Sequence, residues 1–172
     1  PDAPGSLFDH YALGAAWDEM LAEPGAPRTA YKPVFHTLRA MNAATLKERA
    51  DTLARSYLDQ GVTFDYAGEE RPFPLDAVPR VISAHEWQVI ESGVVQRVTA
   101  LESFLDDIYS REGEIPRAVH EGVIPWRLIA SSKHYHRAVM GVRPTNGVRV
   151  HVAGVDLIRD EEGTFRVLED NV

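Results

Sequence analysis

Residues 154–172 read "GVDLIRDEEGTFRVLEDNV", and the fold turns on whether this stretch is a strand, a turn and a returning strand. The preceding residues extend the first limb, so that "VRVHVAGVDLI" and "TFRVLEDN" both alternate in the manner of half-buried strands. "DEEG" at 160–163 supplies turn chemistry, because Asp and Gly tolerate the backbone angles that a tight reversal needs. With a two- or four-residue loop, Gly154 is expected opposite Glu169, Asp156 opposite Val167, and Val152 opposite Asn171. Side chains alternate between faces along a strand, so Asp156, Glu169 and Asn171 then share one face and Asp170 takes the other. A three-residue loop would shift the register by one and break the trio.

That face would carry two carboxylates and an amide carbonyl beside Gly154, which has no side chain to crowd them. Hard oxygen donors without imidazole or thiolate suit Mg²⁺ or Mn²⁺ rather than zinc. Mg²⁺ takes one or two protein carboxylates and fills its shell with water and substrate phosphates, so a sparse cluster fits a nucleotide-phosphate site. As a bare pattern, D-x12-E-x-N is also what an ordinary acidic hairpin with a solvated turn presents. The strand alternation, the turn glycine and the apolar Val167 and Leu168 favour the cation reading, since carboxylates in apolar surroundings need a compensating charge.

The bulk composition excludes several classes of function. The chain has 172 residues, 44% of them hydrophobic and 26% charged, with a formal net charge of -8. A negative balance argues against general nucleic-acid binding and against a polybasic membrane anchor, both of which need clustered Lys and Arg. There is no apolar run of membrane-spanning length, and "PDAPGSLFDHYALG" lacks the basic start and apolar middle of a signal peptide. The absence of Cys removes disulfides, thiolate zinc sites and cysteine nucleophiles together, and a cytoplasmic protein is expected. Because residue 1 is Pro rather than Met, a piece of a longer chain is expected as well.

The fold class expected is α+β, a mostly helical body followed by a C-terminal β-hairpin. Residues 1–29 read as an irregular arm, with one helical turn around "AAWDEMLA". Residues 30–145 form the helical region, interrupted by an extended segment at 62–82. Val34, Leu38 and Met41 mark a first helix, and Asn42 caps a second from Ala43 to about Gln60, which Gly61 stops. "VTFDYAG" alternates as a strand, whereas the three prolines of "ERPFPLDAVPR" predict an extended stretch poor at pairing. Ser83 and Glu86 make a capping box for a long helix. Its stripe of Trp87, Ile90, Val94, Val98, Leu101, Leu105 and Ile108 reads as core. Residues 111–140 read as short helices broken by Gly113, Pro116, Gly122 and Pro125, and residues 146–172 carry the hairpin.

With these residues in hand, "GVDLIRDEEGTFRVLEDN" resembles the metal-binding hairpin of ATP-grasp carboxylate–amine ligases, matching at Asp156, Gly163, Glu169 and Asn171. "YKPVFHTLRAMNAATLKERADTLARSYLDQGVTF", "RPFPLDAVPRVISAHEW" and "IPWRLIASSKHYHRAVMGVRP" resemble the circularly permuted ATP-grasp type 2 family, relatives of glutathionylspermidine synthase. The resemblance runs from about Trp17 to Val172. It implies that the hairpin begins an ATP-grasp fold, and that the segments holding adenine and phosphates follow Val172. It also implies an ATP- and Mg²⁺-dependent (or Mn²⁺-dependent) ligase that forms an acyl phosphate on a carboxylate, for which a peptide-like substrate is one candidate. An amine then attacks that intermediate. Asp156, Glu169 and Asn171 would be the metal ligands, and this fragment alone would be inactive. Ligases of the family commonly carry Arg two residues before the Asp, where this chain has Gly154. That departure keeps a degenerate, non-ligating ATP-grasp protein in view, beside a non-catalytic helical binding module.

One further segment attracts notice. "SSKHYHRAVMGVR" gathers Lys133, His134, His136, Arg137 and Arg143 in an otherwise acidic chain. Lys133, Arg137 and Arg143 are candidates for gripping a substrate carboxylate or phosphate, with Arg137 the best fork donor. The plainer reading is a solvated basic segment. His134-x-His136 lacks the third ligand and spacing of a metal site.

Overall fold

A computed structural model of the chain describes residues 5–109 and 113–172. It is α+β, and it falls into two compact units. One holds the residues up to Ala84 together with Asp160–Thr164; the other holds His85–Arg159 and Phe165–Val172.

In the first unit the expected helical turn near Trp17 is absent. The Asp18 carboxylate accepts hydrogen bonds from the backbone N–H of Met20 (2.9 Å) and Leu21 (2.6 Å), which ties up donors a helix would use. A short hairpin of β1 (Leu21–Glu23) and β2 (Ala26–Pro27) forms in its place, turning at Gly25. Burial pushes the Asp18 carboxyl up. The hydrogen bonds from the Tyr11 hydroxyl, Leu21 and Met20, with Arg28 nearby, outweigh burial and hold it below its ordinary value.

Helix α1 (Lys32–Arg39) starts with Pro33 in its first turn, where a missing N–H costs nothing. It buries Phe35 and Leu38, with Tyr31 just ahead, so the inward stripe lies one position away from the Val34 and Met41 marks. Burying each such side chain stabilises by about 1.5–3 kcal/mol. Helix α2 (Ala43–Asp59) begins as the sequence indicates: the Asn42 side chain accepts from the N–H of Thr45 at 2.9 Å. It ends at Gly61, whose φ of +69° needs glycine.

Only the head of the proline-rich stretch read as poor at pairing does pair, and residues 73–80 form no strand. Strand β3 (Thr63–Tyr66) lies antiparallel to β4 (Glu69–Pro72), because Ala67 and Gly68 both adopt positive φ and close a two-residue turn. Pro72 sits at the strand's end, where the missing donor is tolerated.

The spine of the second unit is α3 (Ala84–Tyr109), which starts directly after Ser83 as a capping box requires. Ile90 and Ile108 are buried, and Val94, Val98, Leu101 and Leu105 are half-buried. Trp87 is not core: it is 53% exposed, because helical periodicity states which residues share a face and not what covers that face. Helices α4 (Arg117–His120) and α5 (Trp126–Ala130) follow Pro116 and Pro125, and Gly122 lies between them. The Asp107 carboxylate accepts from the N–H groups of Arg117 and Ala118, both at 2.8 Å, and so caps α4 from α3. Residues 110–112, at the head of the stretch read as short helices, lie outside the described residues.

Strands β5 (Gly154–Arg159) and β6 (Phe165–Asn171) form the C-terminal hairpin. Its approach is held by Glu102 of α3, whose carboxylate accepts from the N–H of Arg149 (2.9 and 3.0 Å) and of Val150 (2.5 Å).

Candidate functional site

The hairpin register differs from the expected one in two places, and the two differences compensate. Next to the turn, Arg159 pairs with Phe165 and Leu157 with Val167. The Asp160 N–H donates to the Thr164 carbonyl at 3.0 Å, and the Gly163 N–H to the Asp160 carbonyl at 3.0 Å. The loop proper is therefore the odd, three-residue one, with Gly163 at φ +82°. The Asp160 carboxylate braces it by accepting from the N–H of Thr164 at 2.7 Å and of Glu162 at 3.2 Å. Continued without interruption, that ladder would turn Glu169 and Asn171 away from Asp156. Instead the register shifts between Asp156 and Leu157, where Leu168 is the extra residue of a bulge. Beyond it Asp156 pairs with Glu169, Val155 with Asp170, and Gly154 with Asn171.

Each of these three pairs is displaced by two residues from expectation, and an even displacement preserves faces. Asp156, Glu169 and Asn171 stand on one exposed face of the ribbon. Asp156 and Glu169 are directly opposite, a relation that holds Cβ atoms roughly 4.5–5.5 Å apart. The Asn171 amide donates to Glu169 Oε1 at 3.2 Å. Among the described residues neither Asp156 nor Glu169 is paired with Lys or Arg. Like charges facing each other across a ladder repel, so this pair favours a cation between them. A Cβ at Gly154 would meet Asn171 at ordinary contact distances, 3.7 and 3.8 Å, so it would not clash with the trio.

The opposite face is anchored to α3. Asp170 receives a fork from Arg97, with Nε at 2.6 and 2.8 Å and Nη2 at 2.6 Å. That hydrogen bonding holds the Asp170 carboxyl below its ordinary value. Arg159, 8% exposed, bonds Glu86 at 3.0 Å and lies 3.9 Å over the Phe165 ring. These two clamps were not singled out in the sequence, where Arg97 and Asp170 are separated by 73 positions.

The trio has donor chemistry that a hard divalent cation takes: oxygen donors on a shared, exposed face. Asp156 and Glu169 would supply the charge, and Asn171 its amide oxygen. Among the described residues no group of three or more His, Cys, Asp or Glu side chains is placed to hold a metal, so the hairpin offers two carboxylates and an amide rather than a closed cage.

The basic segment lies elsewhere in the same unit. Lys133, Arg137 and Arg143 are exposed, Arg137 in a 3-10 turn over Arg137–Val139 that borders a cavity beside Trp126 and Tyr135. His151 is exposed and precedes β5.

The family model described as a circularly permuted ATPgrasp matches residues 79–172. The chain belongs to the circularly permuted ATP-grasp family. It is 57% identical over 164 residues to an uncharacterized protein of Mycobacterium leprae (strain TN), covering 95% of this chain and 28% of that protein. An uncharacterized protein of Synechocystis sp. is 35% identical over 166 residues, with 94% of this chain and 34% of the relative covered. A protein of Frankia casuarinae named "Putative glutamate--cysteine ligase 2-2" is 38% identical over 158 residues, with 91% and 18% covered. The chain is thus related to ligase-type ATP-grasp proteins and spans under a third of the Mycobacterium leprae relative's length. Among the described residues, no helix is long and apolar enough to cross a membrane.

Proposed function

We propose that the chain is part of an ATP- and Mg²⁺-dependent carboxylate–amine ligase, in which the C-terminal hairpin presents the metal-binding side chains. The observation that carries this reading is the facing pair of Asp156 and Glu169 on an exposed ribbon face, with Asn171 bonded to Glu169. Membership of the family and the name of the Frankia relative support it.

In that reaction a carboxylate oxygen of the substrate attacks the γ-phosphorus of ATP, and the bond to the leaving ADP oxygen breaks. The amine then attacks the acyl carbon, inorganic phosphate departs with its electron pair, and the nitrogen loses a proton. A bound Mg²⁺ would offset charge on the transferring phosphates and hold them in line. Asp156 and Glu169 would hold the ion through carboxylate oxygens and Asn171 through its amide oxygen, while the Asn171 amide nitrogen donates to Glu169 and orients it. Arg97 keeps β6 seated through Asp170, which leaves Glu169 and Asn171 on the free face. No protein nucleophile is required, consistent with a chain that lacks Cys. Domain limits at 1–29, 30–145 and 146–172, with the ATP-grasp part starting at the hairpin, belong to the same proposal. So does the placement of the adenine and phosphate pocket after Val172.

The test is ATP turnover by the full-length protein with amino-acid and peptide acceptors. Glu169→Gln and Asp156→Asn should each lower Mg²⁺-dependent turnover at least about a hundredfold while leaving the circular dichroism spectrum unchanged. Full turnover in both variants would refute the assignment. Nucleotide binding without any turnover in the wild type would point to the degenerate ATP-grasp reading, which Gly at position 154 keeps open.

A further inference from the structure

The second unit contains a cavity of about 480 Å³, within the roughly 300–1,000 Å³ typical of small-molecule sites. Its walls are unlike each other. One is aromatic and fixed: Tyr135 stacks on Tyr109 at 5.5 Å between centroids, and Trp126 meets Tyr135 edge-on at 5.6 Å. Tyr109 is itself held on two sides, its hydroxyl accepting from the His136 N–H (3.1 Å) and its carbonyl from the Gly141 N–H (2.7 Å). The Tyr135 hydroxyl donates to the Met140 sulfur at 3.3 Å, so its polar end is turned to a soft partner within the lining. The lining also has an aliphatic part, formed by Ile115, Pro116 and Val119. Ile115 is left 70% exposed.

Among the described residues of this lining, Arg137 is the cation. Among the described residues no hydrogen bond or ion pair engages its guanidinium. Glu114, the carboxylate on the lining, already has an interaction of its own. An apolar slot with an aromatic wall and an unengaged planar cation, Arg137, selects for shape and charge together. The slot takes an apolar or aromatic body, and the guanidinium takes a planar anion through two parallel N–H donors. Among the described residues of the lining a single cation would leave the further charges of a phosphate-rich ligand uncompensated, so a monoanion suits it better.

We propose that this cavity binds a small monocarboxylate with an apolar or aromatic body, such as a terminal aromatic residue of a peptide. The site does not rest on the ligase reading, since it requires neither nucleotide nor metal.

The experiment is isothermal calorimetry on the full-length protein, without ATP or divalent metal, using N-acetylphenylalanine and its neutral amide, N-acetylphenylalaninamide, as probes. The acid should bind, and the amide should bind about tenfold more weakly or not at all. Arg137→Gln should weaken the acid about tenfold and leave the amide unchanged, while Arg137→Lys should recover part of the loss. Ile115→Glu, a change at an exposed position on the aliphatic part of the lining, should also weaken the acid by placing a like charge against it. Glu169→Gln should bind the acid as the wild type does, so a failed ligase assignment and a failed cavity assignment give different results. Equal binding of acid and amide, no binding of either, or acid binding untouched by both Arg137→Gln and Ile115→Glu would overturn the proposal.

Discussion

Gly163 is held by two independent constraints. Its φ of +82° lies in the left-handed region, where a side chain costs about 1–2 kcal/mol. A Cβ built there would also come within 2.5 Å of the Trp17 ring, onto which Arg28 stacks at 3.6 Å from the centroid. Gly163→Ala should therefore destabilise by about 2 kcal/mol or more, read as a lowered thermal midpoint, whereas Gly163→Asn should suffer the steric clash with less backbone strain. Gly154 is the contrasting case. Its backbone is ordinary and a Cβ would touch Asn171 only at 3.7 Å, so a side chain can start there without a clash. Restoring the arginine that ligases of the family commonly carry there, as Gly154→Arg, should lower the KM for ATP roughly three- to tenfold through a charge-assisted phosphate contact. An unchanged or raised KM would count against a nucleotide beside this face.

The hairpin is the element in which sequence reasoning was both most informative and most exposed to error. Local signals were legible: Asn42 before α2, Gly61 after it, and Pro116 and Pro125 ahead of α4 and α5 act through bonds within a few residues of themselves. Which face Glu169 takes depends on the number of loop residues plus the number of bulged residues, and only the alternation of faces is written in the strand pattern. A three-residue loop alone would have broken the trio, and the Leu168 bulge restores it. Likewise, nothing local tells that Arg97 reaches Asp170, or that Trp87 lacks cover. The clamp makes its own prediction. Arg97→Gln should raise the Mg²⁺ concentration for half-maximal ATP turnover about tenfold, with the Glu169 side chain still present, because β6 loses its anchor on the far face. The same clamp sets a pH dependence. The hydrogen bond from Arg97 depresses the Asp170 pKa in the folded chain, so its contribution is complete above the unfolded carboxylate value, near about 3.9, and lost as pH falls through the lower folded value. Acid melting should separate wild type from Asp170→Asn only above that window, and the two curves should converge below it.

At the scale of the whole molecule, the described residues bury seven large apolar side chains divided between two units, which is a small core for a chain of 172 residues. Trp87, Val89 and Val95 stand 53%, 63% and 60% exposed on α3. The same division applies to the chemistry. Mg²⁺ demands near-octahedral coordination at about six positions, and the hairpin brings two carboxylates and one amide to its free face. Affinity for a nucleotide comes mainly from enclosing the base and from fixing the phosphates with several donors, neither of which a single two-stranded ribbon can provide. The chain spans 28% of the Mycobacterium leprae relative, which leaves ample length for such contacts outside it. Residues 1–172 alone should consequently bind Mg²⁺-ATP at least about tenfold more weakly than the full-length protein, measured by calorimetry after circular dichroism has established that the isolated chain is folded. Micromolar affinity in the folded isolated chain would mean that the purine is held by α3 or the helices after it, and the placement of the nucleotide pocket after Val172 would be wrong.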